Sequence, residues 1–222
     1  MTTVNDAVII EPPEPADAAV IWLHGLGADG HDFEPIVPHL GVHNTRHIRF
    51  VFPHAPQIPV TINGGYVMRA WYDVVDADLR RRADEKGVRG SEQILRDYVA
   101  QELTQGIDSK RIVVAGFSQG GAIALHMGLR YPNPLAGILA LSTYLPLPEA
   151  VAAQRHASNA AVPIFLAHGQ YDPVIPFQAG ENSRAQLESL GYSVEWHSYP
   201  MPHAVCPDEI MDIAVWLSAV LP

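Results

Sequence analysis

The chain has 222 residues, 48% hydrophobic and 17% charged. Those proportions fit about one folded domain and exclude a disordered, collagen-like or coiled-coil chain. With 24 Asp+Glu against 14 Lys+Arg the formal net charge is −10, which argues against wholesale binding to nucleic acid or anionic lipid.

Taken from the start, Glu11-Pro12-Pro13-Glu14-Pro15 reads as a stiff extended connector. Apolar runs rich in Val, Ile and Phe follow at residues 19–23 and 48–52. The stretch 78–89 mixes five cations with Asp78, Asp84 and Glu85 and reads as a solvated loop or short helix. Ser91 can cap a helix carrying Ile94, Leu95, Tyr98, Val99 and Leu103, with Gly106 as its stop. A strand is expected at 111–115, and a helix from about Gln119 to Arg130 that halts before Tyr131-Pro132. Strands are expected at 136–141, 164–167 and 194–199, with a helix at roughly 180–190 ended by Gly191. The last helix begins at Pro207, with Asp208 and Glu209 in its first turn, where negative charge meets the positive end of the dipole. Near-continuous apolar strands alternating with helices predict an α/β fold with a mostly parallel sheet. One domain spanning 1–222 is expected. No apolar run approaches the ~18 residues of a membrane span. The lone Cys206 cannot form an internal disulfide, and the first basic residue is Arg46. No secretory signal is therefore expected, and the cytoplasm is the expected setting.

The sharpest motif is Gly116-Phe117-Ser118-Gln119-Gly120, directly after one strand and opening the next helix. That context turns a short G-x-S-x-G match into a nucleophile elbow, in which a cramped turn lifts the serine hydroxyl above the sheet. A serine needs a base, and the base needs a carboxylate. Asp172 follows the strand at 164–167 and His203 follows the strand at 194–199, so both fall at the same sheet edge as Ser118. Of eleven histidines, His203 alone has the right loop and order; His168 is read as a packing or hydrogen-bonding residue, His126 as buried in its helix, and His197 as part of a strand. One oxyanion donor is the Gln119 amide; the other belongs to the loop His24-Gly25-Leu26-Gly27-Ala28-Asp29-Gly30. That loop lacks the Lys-Ser/Thr of a P-loop and the G-x-G-x-x-G spacing, which leaves a phosphate-binding reading weak. His39, His43 and His47 recur at four-residue spacing, but Gly41 and Asn44 make a poor helix there, and surface histidines are favoured over a metal site. Cys206 is read as a passive thiol near a helix start, and Trp71, from the residues alone, as core.

These motifs together resemble the bacterial branch of the phospholipase/carboxylesterase family, related to acyl-protein thioesterases and lysophospholipases. The carrying residues are Leu23-His24-Gly25-Leu26-Gly27, the Ser118 elbow, His168-Gly169 with Asp172-Pro173-Val174, and His203 before the last helix. Thr61-Ile62-Asn63-Gly64-Gly65 and Arg69-Ala70-Trp71-Tyr72-Asp73 extend it, so that it covers nearly the whole chain. The resemblance implies an α/β-hydrolase fold without a separate cap domain. It makes Ser118, Asp172 and His203 the catalytic triad and the Leu26 and Gln119 amides the oxyanion hole. Trp71 would then sit close to the acyl group, and Val174 would also line the substrate site. Neither cofactor nor metal is expected. The expected activity is hydrolysis of short to medium carboxylic esters, on small-molecule or lipid-like substrates, without nucleic acid or stable membrane insertion; weak homodimers would fit the family. Thioesterase and lysophospholipase activities are alternatives within the same chemistry, and a non-catalytic binding protein on a hydrolase scaffold is the alternative from another class.

Overall fold

Alternate residues of the apolar runs face opposite sides of one sheet, and both sides are covered. In the computed structural model, which describes residues 6–41, 47–76 and 84–222, the strand β1 is Ala7–Ile10 and β2 is Ala18–Leu23. Ala19, Ile21 and Leu23 of β2 enter one core cluster, while Ala18, Val20 and Trp22 enter the other. The same division holds in the strand after the third, fourth and fifth: β3 is Ile48–Pro53, β4 Gln57–Val60, β5 Tyr66–Arg69 and β6 Ile112–Phe117. In β6, Ile112 and Val114 face one way, and Val113, Ala115 and Phe117 the other. Burial on both faces removes the polar alternation that a half-exposed strand would show.

The remaining strands are β7 (Gly137–Leu141), β8 (Ile164–Gly169) and β9 (Val194–Tyr199). The seven-stranded sheet runs β1-β3-β2-β6-β7-β8-β9. Only the β1 edge is antiparallel, and every other pairing in that sheet is parallel. The helices are α1 (Glu85–Thr104), α2 (Gln119–Gly128), α3 (Pro148–Gln154), α4 (Phe177–Ser189) and α5 (Pro207–Val220). Residues of α1 to α4 build one core cluster; α5 and a 3-10 turn at Glu34–Leu40 cover the other face. The strands β4 and β5 form a separate hairpin with an exposed Tyr66 and Val67.

Two helices begin earlier than their sequence signals. Asp84, not Ser91, caps α1, its side chain accepting the Gly87 N–H at 2.9 Å. Ser91 lies on the buried face instead, where its hydroxyl donates to the Trp71 carbonyl. Similarly α4 starts at Phe177, three residues before Gly180. Gly180 is there for packing: a Cβ would lie 2.6 Å from His168 Nδ1. Helix α2 closes at Gly128, and α3, β1 and the β4–β5 hairpin carry no sequence signal strong enough to read. Residues 142–163, between β7 and β8, hold only α3 and a 3-10 turn at Ala157–Asn159. Of the basic stretch, 84–89 belongs to the cap and first turns of α1 and Asp78, Arg80, Arg81 and Arg82 lie outside the described residues, as does His43.

Candidate active site

Strand β6 leads straight into α2, and the junction has no room for side chains. A Cβ on Gly116 would lie 2.2 Å from the Gly120 backbone, and one on Gly120 would lie 2.3 Å from the Leu23 carbonyl oxygen. Between them Ser118 adopts φ +55°, ψ −120°, a conformation that costs a non-glycine residue on the order of 1–3 kcal/mol. The turn is held open from several sides. Ser118 N–H donates to the Leu141 carbonyl at 2.9 Å. Its own carbonyl accepts from Thr143 Oγ1 at 2.7 Å and from the Ala122 N–H at 3.1 Å. Over-determined in this way, the strain persists and fixes the hydroxyl beside the N-terminus of α2.

The candidate acid and base follow β8 and β9, which lie beyond β7 in the sheet. Asp172, in the loop after β8, accepts the Val174 and Ile175 N–H groups on Oδ1 at 2.8 and 2.9 Å. That leaves Oδ2 for His203, whose Nδ1 lies 2.6 Å away. A carboxylate on Nδ1 places the proton there and leaves the Nε2 lone pair for a hydroxyl. The His203 ring packs on Phe117, the neighbour of Ser118, with centroids 4.6 Å apart. The two loops touch backbone to backbone: Tyr171 N–H donates to the Met201 carbonyl at 3.1 Å, and a Cβ on Gly169 would strike the Pro202 carbonyl oxygen at 2.3 Å. The structure therefore brings Ser118, Asp172 and His203 to one edge of the sheet.

His168 is fully buried beneath this pair. Its Nε2 donates to the Ile175 carbonyl at 2.8 Å and lies 3.4 Å from Asp172 Oδ2. Burial lowers its pKa, so it is a neutral prop for the acid loop and not a second base. His126 is likewise buried, beside Arg130 and Glu92, and His197 of β9 stacks on Phe165 of β8.

The glycine-rich loop after β2 closes the site from the other side. A Cβ on Gly25 would lie 3.4 Å from Ser118 Cβ, so Leu26 follows a residue in contact with the serine. Gly27, at φ +78°, donates its N–H to the Arg69 carbonyl at 2.8 Å. Gln119, as the first residue of α2, has a backbone N–H with no intrahelical acceptor. Trp71 is 2% exposed and belongs to the core cluster of the α1–α4 face. Its indole N–H donates to the His24 carbonyl at 2.8 Å. Val174 is 61% exposed on the acid loop.

The chain matches the family model described as phospholipase/carboxylesterase over residues 4–221. It is 40% identical over 214 residues to acyl-protein thioesterase 1 of Neurospora crassa, covering 92% of this chain and 87% of that protein. Among solved structures, Arabidopsis thaliana SOBER1 superposes with a TM-score of 0.87 at 31% identity, covering 92% of this chain and 99% of the other. Zea mays acyl-protein thioesterase 2 superposes with a TM-score of 0.85 at 28% identity, covering 97% and 99%. The chain belongs to the phospholipase/carboxylesterase family.

Membership in the phospholipase/carboxylesterase family makes the chain a hydrolase with the α/β-hydrolase fold, its mostly parallel sheet flanked by helices. The side chain of Gln119 makes contacts at the site that sequence reading misses. Its Oε1 accepts the Trp71 N–H at 3.1 Å while its Nε2 donates to the Tyr72 carbonyl at 2.9 Å. The elbow motif leaves that position free, and the partners lie 48 and 47 residues away. No helix of the described residues is long and apolar enough to cross a membrane.

Proposed function

We propose that the protein is a serine carboxylesterase that works through Ser118, His203 and Asp172. His203 Nε2 takes the Ser118 hydroxyl proton as Oγ bonds to the acyl carbon. The carbonyl oxygen, now negative, is met by the Gln119 and Leu26 amides. When the tetrahedral species collapses, the bond to the leaving oxygen breaks and His203 returns the proton to the alcohol. Water then gives a proton to His203 and attacks the acyl-enzyme. The acid departs and Ser118 recovers its proton. The observation that carries this reading is the strained Ser118 whose neighbour Phe117 packs on the His203 ring, which Asp172 holds at 2.6 Å.

The short stretch 142–163 supports an open cleft for short to medium acyl chains, since it holds only α3 and a 3-10 turn. A thioester needs the same machinery, and the 40% identity to a protein named acyl-protein thioesterase 1 favours thioester cleavage as the second reading. With its lone Cys206, the chain suits a reducing cytoplasm.

A panel of p-nitrophenyl esters, S-acyl thioesters and lysophospholipids of graded chain length, run on the wild type and Ser118→Ala, tests the reading. Short and medium esters should give the highest kcat/KM, and Ser118→Ala should lose about 10⁴-fold or more of it. Undiminished turnover by Ser118→Ala would overturn the assignment, and a preference for S-acyl substrates would move it to thioesterase.

A further inference from the structure

The two backbone donors assigned to the oxyanion come from different loops, and the contacts between those loops form a closed circuit. Gln119, which carries one donor, grips the segment after β5 through its side-chain amide, at Trp71 N–H and the Tyr72 carbonyl. Both partners are backbone groups, and the pattern accepts only one orientation of the amide. The Trp71 indole then reaches His24, donating to its carbonyl at 2.8 Å. The two rings lie 5.2 Å apart.

His24 passes the constraint on to the donor loop. Ala55 N–H donates to its Nε2 at 3.0 Å, so that nitrogen is unprotonated, and Nδ1 donates to the Gly25 carbonyl at 2.7 Å. Burial pushes its pKa down to about 4, which keeps this tautomer through the neutral range. Gly25 in turn lies beside Ser118, where a Cβ would meet the Ser118 Cβ at 3.4 Å, and Leu26 is next. Helix α1 anchors the middle of the circuit through Ser91, whose hydroxyl donates to the Trp71 carbonyl. Trp71, Gln119 and His24 are all buried, so water does not compete for these bonds.

We infer that the Trp71 indole and the Gln119 side-chain amide are positioning groups that set the spacing between the Leu26 and Gln119 oxyanion donors. Neither side chain touches the reacting atoms in this role; each acts through the backbone it holds. The inference rests on the esterase reading above and assigns the buried Trp71 a task other than contact with the acyl group. Because both groups belong to one circuit, their effects should overlap.

The test measures kcat and KM for p-nitrophenyl butyrate separately, together with inhibition by an alkyl trifluoromethyl ketone. Serine adds to that ketone to give an oxyanion, so its affinity reports the donor spacing. Trp71→Phe keeps an aromatic ring and loses the indole donor. Gln119→Glu keeps the backbone N–H but turns the Nε2 donor into an acceptor facing the Tyr72 carbonyl. Each is expected to lower kcat by about ten- to a hundredfold, with KM changed by no more than about twofold. Affinity for the ketone should fall in proportion to kcat/KM, and the double variant should lose less than the product of the two single losses. Wild-type kcat in a folded Trp71→Phe, or a lowered kcat with unchanged ketone affinity, would overturn the inference. If Trp71→Phe does not fold, Gln119→Glu decides by the same two readouts. Ser118→Ala separates the levels. An inactive Ser118→Ala beside fully active brace variants removes the brace alone, whereas an active Ser118→Ala removes the esterase reading and the brace with it.

Discussion

Asp172 does two things with one carboxylate. Oδ1 ties its own loop together through the Val174 and Ile175 amides, and Oδ2 orients His203. Asp172→Asn should leave the loop bonds on Oδ1 in place while offering an amide N–H to His203, which favours the wrong tautomer. The expected loss in kcat is about 10³- to 10⁴-fold, with a melting temperature near that of the wild type. A kcat within tenfold of wild type would show that His203 does not depend on this carboxylate. At the elbow, Gly120→Ala forces a Cβ to 2.3 Å from the Leu23 carbonyl oxygen. That contact cannot be relieved by a side-chain rotation, and the variant should fail to accumulate as folded protein in a soluble-expression assay. At this scale the sequence is most legible where chemistry imposes a pattern. Ser118, Asp172 and His203 stand at fixed places relative to strand ends, and each strand end is marked by an apolar run. Gln119 and Trp71 were not legible as partners, because a hydrogen bond between side chain and backbone 48 residues away leaves no local pattern.

Elements were legible according to how much of their burial is periodic. Strands β2, β3, β6, β7 and β8 are buried throughout and announce themselves as apolar runs; β9 is only half-buried, and β1 and the β4–β5 hairpin are short and partly exposed and carry no such signal. The start of α1 was hidden because Gly87 and Gly90 weaken the helical signal of its first turns. Helices α1 and α2 are joined by buried charge. Burial alone would raise the Glu92 carboxyl, but hydrogen bonds from His126, Arg96 and Arg130 outweigh it and hold the pKa at about 2. With the folded pKa below the ordinary 4.5, this cluster contributes its full stability above pH 4.5 and loses it as pH falls toward 2. Glu92→Ala should cost about 2–3 kcal/mol, since it takes the carboxylate from the half-buried Arg96 and Arg130, and its stability deficit, measured by urea unfolding, should shrink below pH 4. A deficit independent of pH would contradict the ion-pair account. Glu209 in α5 behaves in the opposite sense. It is fully buried, and burial pushes its carboxyl up to about 8, the Cys206 amide offsetting only part of the effect. A raised folded pKa means that its stabilising contribution is present below pH 4.5 and is lost as pH rises through about 8. Glu209→Gln, neutral at every pH, should therefore gain in melting temperature relative to wild type between pH 5 and pH 9; a constant difference would show that the group does not titrate in the fold.

At the scale of the molecule, the parallel order β2-β6-β7-β8-β9 does the assembling. Parallel strands bring their C-terminal ends to one edge, so loops separated by up to 180 residues in the chain meet there. The glycine-rich loop follows β2, the elbow follows β6, Asp172 follows β8 and His203 follows β9. The strand order was not readable from the chain, because continuous apolar runs show that a strand is buried but not beside which neighbour. What could be read was the alternation of strands and helices and the shortness of the stretch 142–163, which holds only α3 and a 3-10 turn. The −10 net charge weighs against nucleic acid and anionic lipid as partners without naming a substrate. The central claim is that Ser118 carries the acyl group during turnover. Intact-mass spectrometry with peptide mapping after treatment with a fluorophosphonate tests it most directly. A single adduct on Ser118, absent from Ser118→Ala and formed in parallel with loss of esterase activity, is the predicted result; an adduct on another residue, or complete inhibition with Ser118 unmodified, would contradict it.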